Sequence, residues 1–109
     1  MDIQDLILVG RLGEVVSFKT KDGKVLEVEL TTPTTDEVKK MGAIENVTSV
    51  DFVLNFIVRV GEKHYGPENR EEVRQKLGES QGALVGFLNQ QCLKLVEKQE
   101  KFIEELTKK

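Results

Sequence analysis

Apolar residues follow two different periods along this chain, and the switch between them divides it. From Glu14 to Thr32 the period is two. Val16, Phe18 and Thr20 alternate with Ser17 and Lys19, and Leu26, Val28 and Leu30 alternate with Glu27 and Glu29. "KDGK" separates the runs, and its Asp22-Gly23 pair tolerates the positive φ of a tight turn, so residues 12–31 predict a β-hairpin with one wet face. A hairpin alone is marginal in water, and its apolar face needs a cover. From Val85 to Leu106 the spacing becomes three and four, through Val85, Leu88, Cys92, Leu95, Gln99, Phe102 and Leu106. That is a heptad seam with one polar member, Gln99, and it predicts a long amphipathic helix over 80–107 with Ser80 as its cap.

The segments between are shorter. In "TTPTTDEVKKMG" Thr34 and Glu37 have the spacing of a capping box, Asp36 sits in an acidic first turn, and Gly42 is the expected stop. "SVDFVLNFIVRV", 49–60, fits two structures. Its β-branched content suits a strand. Its length, Ser49 as a cap and a polar stripe of Asp51, Asn55 and Arg59 suit a helix, which is the preferred reading. "GEKHYG" is a connection. Pro67 then fits the first turn of a helix through "ENREEVRQKLG", with Glu72–Lys76 as an i, i+4 pair and only Val73 and Leu77 to bury. Glu97–Lys101, Glu104–Lys108 and Glu105–Lys109 also run acid before base. For the first ten residues two readings stay open: a short helix capped by Asp2 and stopping at Gly10, or a strand at "LILV". The fold class is α+β in one domain, 1–109: an N-terminal hairpin, then a helical part over 49–109 with three or four helices, the last one long.

Composition narrows the function. Net charge is −3; residues 1–50 hold six basic and nine acidic side chains, and residues 51–109 hold ten of each. No cationic surplus suits a phosphate backbone, so nucleic acid is not an expected partner. Arg11, Lys19, Lys21 and Lys24 would make at most a small basic tip on the hairpin, diluted by Glu14, Asp22, Glu27 and Glu29. No apolar run reaches the length of a membrane span, and "MDIQDLILVG" does not have the form of a signal peptide. The sequon "NVT" at 46–48 is therefore read as chance, and the cytoplasm is the expected compartment.

Chemistry is hard to assemble from these residues. His64 is the only histidine and has no signalled acid–base partner; it reads as a turn residue. Cys92 is the only cysteine, which excludes an internal disulfide, and its seam position makes it a small buried hydrophobe. No carboxylate spacing suggests a metal, and "GRLG" and "GESQG" lack the context of a phosphate loop. The expectation is a non-enzyme with no cofactor and no metal site. The seam carries the functional interest: 84–96 has an apolar arc wide enough for a core, whereas beyond Glu97 only Phe102, Ile103 and Leu106 remain among charges. At about 1.5 Å per residue, 97–109 reach roughly 18 Å further.

"GRLGEVVSFKTKDGKVLEVELTTPTTDE" resembles the front end of the tail assembly chaperones of tailed bacteriophages, baseplate assembly chaperones included. The pattern is a Gly-Arg start, a hairpin and a threonine-rich step into an acidic helix. Residues 50–106 resemble the back end of that family: an apolar helix, a glycine turn, a Glu-Arg helix and a long helix ending in Lys/Glu/Gln-rich turns. "NQQC" stands where the family pattern would have a tyrosine, and "EKHYGP" replaces a more usual turn. The resemblance implies a host-cytoplasmic protein that shields a helical tail component, such as the tape measure or a baseplate protein, with self-association through the last helix as a further expectation. The expected partner-binding residues are Phe87, Leu88, Leu95, Gln99, Phe102, Ile103 and Leu106, with Gln99 setting register. Two other functions are carried beside it: a small structural adaptor retained in the virion, and a nucleic-acid-associated module using the hairpin tip.

Overall fold

The period-two runs close into the expected hairpin. A computed structural model of the chain describes residues 2–42 and 49–107. β1 (Gly13–Lys19) and β2 (Val25–Thr31) pair antiparallel, with Val16 facing Val28 and Phe18 facing Leu26. The turn spans Thr20 to Lys24. The Thr20 amide donates to the Lys24 carbonyl at 2.8 Å, and Gly23 takes the positive φ, +86°, which an L side chain resists. Val28 and Leu30 are buried on the inner face, while Ser17, Lys19 and Glu27 face water.

The threonine-rich step also follows its local chemistry. α1 (Thr35–Gly42) opens on a reciprocal cap: the Thr34 amide donates to Glu37 Oε1 at 3.0 Å and the Glu37 amide donates to Thr34 Oγ1 at 3.3 Å. The sequon at 46–48 lies outside the described residues.

The 49–60 segment departs from the helix preferred for it. It is α2 (Ser49–Leu54) followed by β3 (Ile57–Val60). Asn55 stops the helix by turning its Nδ2 back to the Asp51 carbonyl at 2.9 Å. β3 then joins β2, with Glu29 opposite Arg59 and Leu30 opposite Ile57, so that a bulge in β3 turns Ile57 into the core. Asp51 and Arg59 therefore share no stripe: Asp51 is buried against Arg74, and Arg59 reaches Glu29 at 3.0 Å across the outer face of the sheet. "GEKHYG" is more than a connection. Gly61 turns at φ +60°, and β4 (Lys63–His64) pairs with β3, giving a four-stranded antiparallel sheet in the order β1-β2-β3-β4.

α3 (Arg70–Glu79) starts three residues after Pro67 and buries Val73 and Leu77, the two residues expected. Its charges pair differently from the expected i, i+4 bridge: Glu72 meets Lys63 of β4 at 2.8 Å, and Lys76 meets Glu79 at 3.2 Å. A partner fixed on the neighbouring strand outcompetes one on the same helix face. Ser80 ends α3 instead of opening the next helix. Its amide donates to the Leu77 carbonyl and its hydroxyl to the Lys76 carbonyl at 2.7 Å. The carbonyl of Gln81 instead accepts the first bonds of α4 (Gly82–Thr107), which at 26 residues is about 39 Å long.

The core lies where the inner face of the sheet, α2, α3 and the first half of α4 meet. Phe56, Leu30, Ile57, Leu88, Leu95, Val53 and Cys92 are its innermost side chains. The α+β class, the N-terminal hairpin and the long last helix are as the sequence predicts.

Candidate partner-binding surface

The seam of α4 changes environment part-way along. Val85, Leu88, Cys92 and Leu95 are buried in the core just described. Past them Gln99 and Phe102 are half-buried, Ile103 is 41% exposed and Leu106 52%. The expected site residues thus separate into two sets. Leu88 and Leu95, each 2% exposed, are spent on the chain's own core and offer a partner nothing while the domain is folded. Phe87 lies off the seam, half-exposed, with its ring edge-on to Phe18 of β1 at 5.8 Å between centroids. Phe102, Ile103 and Leu106 remain as an apolar edge on the last turns.

That edge is not isolated from the rest of the chain. The first residues form a 3₁₀ helix (Ile3–Leu8), capped by Asp2, whose carboxylate accepts from Gln4 N at 3.0 Å while Asp5 accepts from Asp2 N at 2.8 Å. The chain leaves it through Gly10, which sits against α4. Gln99 Nε2 donates to the Gly10 carbonyl at 3.2 Å. Gly10 has φ +79°, and a Cβ there would stand 2.6 Å from Ile103 Cγ1 and 2.8 Å from Cδ1. Gln99, expected to set register with a partner, therefore bonds within its own chain. Only a glycine permits both the left-handed turn and the close approach to Ile103.

The 3₁₀ helix brings in residues that the sequence reading left out. At three residues per turn, Ile3 and Leu6 stand one above the other, and Val9 follows as the C-cap. They are 82%, 69% and 54% exposed. The spacing of three is written in the sequence, but an α-helical or β period passes over it. Leu6 and Val9 share the wall of a cavity of about 600 Å³ with Gln99, Arg11, Thr32 and Arg70. Inside it Arg70 meets Glu37 at 2.5 Å. Burial raises the Glu37 pKa, but the Thr34 amide and the Arg70 guanidinium outweigh it and hold the carboxyl below its usual range.

Other features have structural settings. A second cleft, about 330 Å³ and almost wholly apolar, lies between the inner sheet face and α3 and α4, lined by Phe18, Leu26, Val60, Tyr65 and Leu84 among others. Burial pushes the Cys92 thiol up to about 12, the setting of an inert core thiol. Among the described residues no three His, Cys, Asp or Glu side chains stand close enough to hold a metal ion, and no helix is long and apolar enough to cross a membrane. Arg11 lies at the opposite end of β1 from the turn and adds nothing to a basic tip, while Lys24 pairs with Asp22 at 3.7 Å. Glu104–Lys108 and Glu105–Lys109 extend outside the described residues. Comparison of the chain with protein-family models, curated proteins and solved structures finds no match.

Proposed function

We propose that this protein is a non-enzymatic assembly chaperone of the phage tail or baseplate type, which covers an apolar helix of a tail component until that component assembles. One observation carries the reading: the apolar edge of α4 continues for two turns after its own core has ended, leaving Ile103 and Leu106 partly exposed beside half-buried Phe102. An apolar stripe that the fold leaves uncovered is suited to a second helix, in the manner of helix-in-groove recognition. The order of hairpin, threonine-rich step and long helix, and its resemblance to the chaperones of phage tails, supplies the class of partner: a helical tail or baseplate protein such as the tape measure. The partner set is Phe102, Ile103 and Leu106, with Phe87 as a separate exposed aromatic.

Co-expression with tail and baseplate proteins, followed by mass measurement of purified complexes, tests the proposal. The wild-type chain is expected to carry a tail protein with it. Phe102→Asp with Leu106→Asp is expected to lose it while keeping the far-UV spectrum and urea midpoint. A complex that survives the double substitution refutes the role of the seam. Recovery of the chain in purified particles would move it from chaperone to virion adaptor.

A further inference from the structure

The hairpin leaves the sheet with an open edge. β2 lies between β1 and β3, so β1 pairs on one side only, and β4 forms the opposite edge. The phase of the β1–β2 ladder decides which backbone groups this leaves over. At its two ends the Thr20 amide donates to the Lys24 carbonyl at 2.8 Å and the Thr32 amide to the Leu12 carbonyl at 3.0 Å. The register between them is unbroken, so Glu14, Val16 and Phe18 also turn their backbone groups to β2. Gly13, Val15, Ser17 and Lys19 turn theirs outward, and among the described residues nothing bonds them there.

The two edges are built differently. β4 has two residues, follows the left-handed turn at Gly61 and carries Lys63, all features that keep an exposed edge from pairing. β1 runs for seven residues with neither bulge nor proline, and its two charges, Glu14 and Lys19, cancel. Its inner side chains Val16 and Phe18 are half-buried, whereas Val28 and Leu30 of β2 are buried. On the outer face Val15 is 47% exposed. β1 thus has the backbone groups and the apolar flank of an inner strand without the second neighbour.

We infer that β1 pairs antiparallel with β1 of a second copy, around a two-fold axis through Ser17. The two helix layers stay on one side of a continuous sheet only if inner-face residues oppose inner-face residues, so even positions meet even ones. With Ser17 opposite itself, Val16 meets the second copy's Phe18 and Phe18 meets its Val16, an apolar pair made twice. An axis at Val16 would instead set Phe18 against Glu14. Val15, Ser17 and Lys19 then exchange their outward groups with Lys19, Ser17 and Val15 of the other strand, about six hydrogen bonds in all. No like charges stand opposite each other, because Glu14 faces Thr20 and Lys19 faces Val15. On the outer face Glu29 lies beside Val15, so the second copy's Lys19 comes within two strand spacings of it, about 10 Å, close enough to attract at ordinary ionic strength. The strand is its own complement in length, hydrogen-bond phase, face pattern and charge, as an isologous contact requires. This surface is separate from the α4 edge and does not depend on the function proposed for it.

Sedimentation of the full chain over a concentration series tests the pairing. The wild type is expected to reach the mass of two chains. Ser17→Pro removes an outward amide that β2 does not use, so the far-UV spectrum is expected to hold while dimerisation weakens tenfold or more. Ser17→Lys and Ser17→Glu make the same test without asking the strand to accept proline. Each sets like charges together at the axis and is expected to weaken the dimer tenfold or more, and an equal mixture of the two is expected to restore it. Amide exchange reads the phase: Val15, Ser17 and Lys19 should be protected in the dimer and open on dilution, with Val16 and Phe18 protected throughout. A wild type that stays a single chain at the highest concentration overturns the inference. So does a dimer indifferent to all three Ser17 variants, a mixture no tighter than its parts, or protection that ignores the alternation. A dimer dissociated by Phe102→Asp with Leu106→Asp but by none of the Ser17 variants overturns it too, and moves the contact to α4.

Discussion

Gly10→Ala is the sharpest test of how the N-terminal segment is held. Two separate costs arise. The φ of +79° is left-handed, which costs an L residue about 1–2 kcal/mol. A Cβ at 2.6 Å from Ile103 Cγ1 must also push that side chain off its rotamer, at roughly 0.5–1.5 kcal/mol. Against these, alanine loses less backbone freedom on folding than glycine, which returns about 0.4–1 kcal/mol. The net expectation is a loss of about 1–2.5 kcal/mol, or a fall of roughly 1 M in urea midpoint if m is near 1.5 kcal/mol/M. The loss has a ceiling, because the segment can detach and give up only the Gln99 bond and its contact with Ile103. Gly23→Ala is the internal control: its φ is +86°, but nothing lies within 4 Å of a Cβ there, so it reads the backbone cost alone.

Ile103→Ala completes a double-mutant cycle. It removes the clash and leaves the φ cost, so the double variant should be more stable than the sum of the single ones by about 0.5–1.5 kcal/mol. Urea unfolding followed by circular dichroism measures all four chains. An unchanged midpoint for Gly10→Ala, or strict additivity with Ile103→Ala, would refute the docking of Gly10 on α4.

Two other side chains give independent readouts. With its thiol pushed up to about 12 by burial, Cys92 should resist thiol reagents at about pH 8, where roughly one in 10⁴ is ionised, and label only as the domain unfolds; rapid labelling in native buffer would contradict its place in the core. Glu37 titrates lower in the folded chain than its ordinary 4.5, so its contribution is present above that value and is lost as pH falls through the folded pKa. Glu37→Gln should flatten that part of the acid limb, seen in urea midpoints between about pH 6 and about pH 3, and an unaltered limb would remove Glu37 as its source.

Legibility in the sequence followed how local each decision was. The hairpin, the Thr34–Glu37 cap and the choice of Val73 and Leu77 as the buried pair of α3 depend on residues within a few positions of one another, and each was readable. The division of 49–60 was not. Every residue from Phe52 to Val60 suits either period. What decides is the pairing of Glu29 with Arg59 and of Leu30 with Ile57, roughly thirty residues apart, which no local pattern carries. Ser80 and Lys76 show the same limit on a smaller scale. Both have the residue type expected for a cap and a helix pair, but Ser80 serves the preceding helix and Lys76 turns to Glu79.

Gln99 joins the two halves of the seam and explains why it breaks there. The core ends at Leu95, and the next seam position meets a backbone carbonyl, Gly10, in place of an apolar side chain. Leucine at 99 would leave that carbonyl without its donor in a half-buried place, whereas the glutamine amide satisfies it. The polar entry is therefore fitted to an intramolecular contact 89 residues away in sequence. One turn further on, Gly10 also abuts Ile103. A seam read as one helix face waiting for a partner is, at Gln99 and Ile103, also the seat of the turn at Gly10.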